Sequence, residues 1–158
     1  VLPVPVVVKE VGWGISAEDA QKLKSAGVSA IDVAGAGGTS WSQVEMHRIQ
    51  DLHRARVAGA FRNWGIPTAE SILQVKKTCP ETLVFASGGI RDGIEIAKCI
   101  ALGAILVGMA GPFLKAAVIS PAETIAAIDE IQKELQICMF VCGAQNITAL
   151  QNTPLQEV

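Results

Sequence analysis

The chain has 158 residues, 50% of them apolar and only 18% charged, with a net charge of −2. That balance excludes a disordered or tail-like chain, and 15 acidic against 13 basic residues argue against a non-specific nucleic-acid binder. A complete (β/α)8 barrel needs about 200–250 residues, so a chain of this length holds only part of one.

The apolar residues are mostly small, aromatic side chains make up 4%, and there are 15 glycines, a composition suited to a parallel sheet buried under helices. No apolar run is long enough for a membrane span. The opening VLPVPVVVKEVG lacks Met and a basic segment and carries two prolines. It does not read as a signal peptide, and a start directly on a strand-like run suggests a missing upstream segment. Cys79, Cys99, Cys138 and Cys142 form no CxxC pair. They read as reduced, buried thiols of a cytoplasmic protein.

Pro5 to Val11 is the first predicted strand, followed by a Gly-Trp-Gly turn and by Ser16, whose SAED run is a capping box. Ala20, Leu23 and Ala26 give the ensuing helix an apolar stripe, and Gly27 closes it. Val28 to Ala34 is the second strand, running into Gly35-Ala36-Gly37-Gly38-Thr39-Ser40-Trp41. Gln43 to Arg62 is helical in flavour and breaks at Gly65 and Pro67. A helix from Thr68 places Ala69, Ile72 and Val75 on one face. Thr82 to Ala86 is a strand ending in Ser87-Gly88-Gly89-Ile90-Arg91, and Asp92 caps a helix that buries Ile94, Ala97 and Ile100 or Ala101. Ala104 to Met109 is the last strand, followed by Ala110-Gly111-Pro112. Ser120-Pro121 opens a long helix carrying Ile128, Ile131, Leu135 and Cys138. Residues 149–158 read as a loose polar tail. The strand, helix, strand order describes one α/β domain over residues 1–158, with about four parallel strands.

Ligands of parallel α/β folds bind beyond the carboxyl ends of the strands. There the glycines of SGGIRDG and GMAG let amide nitrogens approach an anion, and the following helix N-termini add favourable dipoles. Tight βα turns would use the same glycines; their recurrence on consecutive strands favours a phosphate site. Lys9 stands at the end of an apolar run, where a cation is costly without an anion. Pairing with Glu10 or Asp32 is one outcome; facing a ligand is the favoured one. Asp32 reads as a group that orders its neighbours. His47 and His53 read as solvated rather than as metal ligands or bases.

The runs VVVKEVGWGIS, AIDVAGAGGTSW, FRNWGIPT, FASGGIRDG with IAKCIALGA, and GMAGPFLKAA together resemble the C-terminal half of the type 2 isopentenyl-diphosphate delta-isomerases, FMN-dependent (β/α)8 barrels. SGGIR is shared with other FMN barrels, whereas KEVGxGxS with DVAGxGGTSW is far more specific. The resemblance implies that Lys9 lies near the flavin pyrimidine edge, that Thr39 contacts FMN, and that Gly89, Ile90 and Arg91 with Ala110 and Gly111 form the phosphate loops. Some members carry serine where this chain has Ala34. The full-length family uses NADPH and Mg2+, but its first four βα units, which hold the substrate and metal contacts, have no counterpart here, so neither catalytic residues nor a metal site is assigned. A half-barrel with open edges implies a homo-oligomer or pairing with a complementary half-barrel. A non-catalytic FMN-binding module and an interaction fragment are the alternatives to an isomerase.

Overall fold

The β-branched runs become a sheet of four parallel strands in the computed structural model, which describes residues 3–156. They are β1 (Val7–Lys9), β2 (Ala30–Asp32), β3 (Leu83–Ala86) and β4 (Leu106–Val107), and each pairs with the next in chain order. Between β1 and β2 lies α1 (Ala17–Ser25); between β2 and β3 lie α2 (Trp41–Arg48), α3 (Leu52–Ala60) and α4 (Thr68–Thr78). The β3–β4 connection holds α5 (Gly93–Ala101), and after β4 come α6 (Gly111–Ile119), α7 (Pro121–Val141) and α8 (Ile147–Gln151). Side chains alternate along a strand, so register sets the two faces. Val7, Ala30 and Leu83 share one row, and Lys9, Asp32, Phe85 and Leu106 share a second row on the same face.

The other face is the core. Ile31 and Val84 pack with Ile72 and Val75 of α4 and Cys99 of α5, all buried. Full burial of each large aliphatic side chain contributes roughly 1.5–3 kcal/mol. On the opposite face Val7, Leu83 and Leu106 are 47%, 47% and 57% exposed. In a closed barrel that face is the filled interior. Exposed apolar side chains also occur on α6 and α7, where Val118 and Phe140 are 80% and 86% exposed.

The capping residues behave as the sequence predicts: Ser16, Asp92 and Ser120 each accept the N–H three residues ahead. Other expectations change. The Gln43–Arg62 helix is two helices, because Ile49 turns extended and the Asp51 carboxylate caps a new start through the N–H groups of His53 and Arg54. Helix α6 is an addition, opened by Pro at its second position. The expected loose tail begins instead inside α8, capped by Asn146, with Leu150 only 2% exposed against Ala97 and Ile100. Its last two residues, and the first two of the chain's opening run, lie outside the described residues. Ile94 is exposed rather than buried, and Cys142 is exposed while Cys138 is only half-buried.

Burial, with the Glu95 carboxylate nearby, pushes the Cys99 thiol from 9.0 up to about 11. The native state then holds this proton more tightly than the unfolded chain does, so stability is intact below pH 9.0 and declines as pH rises toward 11. The full loss amounts to about 2–3 kcal/mol. Urea midpoints measured across that window should fall in the parent and fall less steeply in Cys99→Ala; equal slopes would place the cause elsewhere.

Candidate functional site

Because all four strands run the same way, the loops that follow them meet along one rim and enclose a cleft of about 1010 Å³. Lys9, Thr39, Gly89, Ile90, Arg91, Ala110 and Gly111, the residues singled out in the sequence, come from the end of β1, the loops after β2 and β3, and the junction of β4 with α6, and all line it. His47 and His53 lie exposed on α2 and α3, away from the cleft.

Backbone packing between loops shapes the cleft. Gly88 has φ +104°, and a Cβ there would stand 2.2 Å from the Gly35 carbonyl oxygen. A Cβ on Gly35 would stand 2.3 Å from the Thr68 Cα. The Thr68 hydroxyl donates to the carbonyls of Gly88 at 2.6 Å and Ser87 at 3.2 Å, tying the start of α4 to the loop after β3. Sequence reasoning overlooked Thr68, although the IPT run that opens α4 was the available signal.

The rim presents amides selectively. Among the described residues, the N–H groups of Gly89, Ile90, Ala110 and Gly111 make no hydrogen bond within the chain. Those around the start of α5 are taken: Arg91 N–H donates to Glu95 at 2.7 Å, Gly93 N–H to Glu134 at 2.6 Å, and Glu95 N–H to Asp92 at 2.7 Å. Three carboxylates thus seal the α5 N-terminus, and the dipole expected to help the SGGIR loop is already satisfied. The N-terminus of α6 carries no such cap and faces the cleft through Ala110 and Gly111. The Arg91 and Lys115 side chains add positive charge to the lining. Lys115 was not singled out in the sequence; its position one helical turn after Gly111 was the signal.

Lys9 neither pairs with Glu10 nor projects alone. Its ammonium donates to Asp32 Oδ2 at 2.6 Å and to Ser87 Oγ at 2.7 Å on the cleft wall. Glu10 instead accepts the N–H groups of Gly12 at 2.7 Å and Trp13 at 2.5 Å, which folds the first loop. A Cβ at Gly12 would lie 2.5 Å from the Thr39 carbonyl oxygen, so this loop seats the Thr39 segment. Ala34 adopts φ +35°, a conformation that costs a non-glycine residue of order 1–3 kcal/mol, beside the Asp32 carboxylate that accepts its N–H at 3.2 Å. Chemically, the cleft offers free amides and cations to an anion, and the Lys9 ammonium to an electron-rich polar group. Ile90 and Met109 line it with apolar surface.

Residues 1–157 match the family model described as FMN-dependent dehydrogenase. Over 157 residues the chain is 50% identical to the isopentenyl-diphosphate delta-isomerase of Stutzerimonas stutzeri, covering 99% of this chain and 45% of that protein. The isopentenyl-diphosphate delta-isomerase of Synechocystis sp. is 54% identical over 156 residues, with 99% and 45% covered. The chain therefore spans less than half the length of these curated relatives. A crystal structure of a lactate oxidase from Pediococcus acidilactici superposes with a TM-score of 0.74 at 23% identity, over 98% of this chain and 37% of that one. At that identity the likeness concerns the fold, which is half of a (β/α)8 barrel.

Proposed function

This chain belongs to the FMN-dependent dehydrogenase family, and from that premise we propose that it is the cofactor-binding C-terminal half of a type 2 isopentenyl-diphosphate delta-isomerase, which interconverts isopentenyl and dimethylallyl diphosphate. The observation that carries this reading is the rim itself. Uncommitted amides of Gly89, Ile90, Ala110 and Gly111, two cations and the Lys9 ammonium converge on one cleft. Its volume of about 1010 Å³ accommodates a mononucleotide-sized ligand.

Those residues fit FMN. Bound there, the cofactor supplies a redox-active ring able to help move a proton on the substrate. Gly89, Ile90, Ala110 and Gly111 donate N–H groups to its phosphate, and Arg91 and Lys115 balance the phosphate charge. Thr39 offers a hydroxyl, and Lys9 opposes negative charge at the polar edge of the ring. Contacts to the substrate diphosphate and the acid–base groups belong to the other half of the barrel. The family resemblance assigns the Mg2+ site to that half as well. NADPH is the expected reductant of the complete enzyme, and the cytoplasm its expected compartment. No helix of the described residues is long and apolar enough to cross a membrane.

The bare inner face and open strand edges favour a second reading, in which this half binds FMN but turns over only when another half-barrel covers it. A second copy and a complementary N-terminal half are the two candidates. Flavin absorbance that survives gel filtration is the expected result for the purified chain with added FMN. With FMN, NADPH and Mg2+ present, conversion of isopentenyl diphosphate should appear on adding the N-terminal half. Retained flavin without conversion would leave only the binding reading; loss of all flavin would sink both. Light scattering should show association at micromolar concentration, and a stable monomer would contradict the pairing.

A further inference from the structure

We propose that Asp32 and Ser87 are positioning residues that clamp the Lys9 ammonium and aim its remaining N–H into the cleft, an inference that rests on the flavin reading of that cleft for its functional meaning. A lysine is ordinarily a mobile point charge on a flexible stem, with three donors and no acceptor. Here β1 and β2 pair so that Lys9 and Asp32 stand side by side, and Ser87 follows β3 directly. The result is a closed triangle. Lys9 Nζ donates to Asp32 Oδ2 at 2.6 Å and to Ser87 Oγ at 2.7 Å, while the Ser87 hydroxyl donates to Asp32 Oδ1 at 2.7 Å. The Ala34 N–H holds the same Oδ1 at 3.2 Å, so the carboxylate is itself fixed by backbone.

Two of the three ammonium donors are thereby committed to protein. A tetrahedral nitrogen with two N–H directions fixed has one direction left, and all three residues line the cleft. The Asp32 side chain is 15% exposed and that of Lys9 55%, so the carboxylate forms the anchor and the ammonium keeps an open side. Asp32 also balances the Lys9 charge. A ligand therefore meets a directed donor, suited to a partly negative ring edge, while net anion attraction is left to Arg91 and Lys115. The strained φ of Ala34 directly after the Asp32–Val33 step fits a backbone held for the sake of that carboxylate.

The clamp can be read without any cofactor. Brief acylation with an amine-reactive ester, followed by peptide mass spectrometry, compares Lys9 with exposed Lys24 in the same molecule. Lys9 should react several-fold faster in Ser87→Ala and Asp32→Asn than in the parent, and Ser87→Thr, which keeps the hydroxyl, should restore slow reaction. Thermal unfolding of the same samples identifies any variant that fails to fold. Unchanged Lys9 reactivity in both Ser87→Ala and Asp32→Asn overturns the clamp. With FMN bound, Ser87→Ala should lower the two-electron potential of the flavin by about 30 mV, a tenfold weaker hold on the reduced relative to the oxidised form. Ser87→Thr should recover it. An unmoved potential in Ser87→Ala overturns the functional role of the clamp. If the parent retains no FMN but Lys9 reactivity responds as stated, the clamp stands and the flavin reading falls instead.

Discussion

Gly88→Ala is expected to destabilise the chain by about 3–5 kcal/mol and to abolish ligand retention in the cleft, adding backbone strain to overpacking. At φ +104° an alanine is strained before it meets any neighbour, and its Cβ would then lie 2.2 Å from the Gly35 oxygen and 2.7 Å from the Gly35 nitrogen. Both obstacles are backbone, so no side chain can swing aside. Gly35 cannot retreat, because its own Cα position backs onto Thr68. Thr68 in turn holds the Gly88 carbonyl at 2.6 Å. Urea unfolding should show a lower midpoint at unchanged slope. Gly111→Ala is the matched control: nothing lies within 4 Å of a Cβ there and its φ is not left-handed. Its stability should stay within about 0.5 kcal/mol of the parent. Similar midpoints for Gly88→Ala and Gly111→Ala would show that the loops after β2 and β3 do not pack as described.

Arg91→Glu should weaken FMN binding about 100-fold, through loss of a charge-assisted contact and gain of a repulsive one. The setting makes the reversal severe. Asp92 and Glu95 already occupy amides beside this loop, so Arg91 and Lys115 carry the positive charge that offsets them. Arg91→Gln, which removes charge without reversing it, should lose about tenfold. Riboflavin, which lacks the phosphate, should bind parent and variants alike, separating a phosphate effect from a folding effect. Fluorescence titration of the flavin measures all three. Equal FMN affinity in parent and Arg91→Glu would remove SGGIR from the phosphate site.

Much of the site was legible because its chemistry is local. Glycine in a βα turn, a cation closing an apolar run, and a proline next to a helix start each carry their reason within a few residues. That is why Lys9 and the two glycine-rich loops could be named from the residues, with Thr39 added by the family resemblance, and why Ser16, Asp92 and Ser120 cap the helices they open. Ser87, Thr68 and Lys115 were passed over for the opposite reason. Ser87 matters only because β1, β2 and β3 lie side by side, which brings it to Lys9 across 78 positions of sequence. Thr68 acts on carbonyls some 19 and 20 residues ahead. Glu134 reaches the Gly93 amide from 41 residues away, so the sealing of the α5 N-terminus could not be anticipated from the loop that precedes it.

Composition and periodicity, by themselves, determined a parallel α/β chain, its strand order and several of its helices, and which turns could admit an anion, because backbone preference and apolar spacing act over a few residues. Residue-by-residue likeness pointed to the flavin family. Only the tertiary structure decided which amides remain available, what holds the Lys9 ammonium, and that Leu150 is core rather than tail. Those outcomes depend on which distant groups satisfy one another first, a competition settled when the strands align and the helices close over one face.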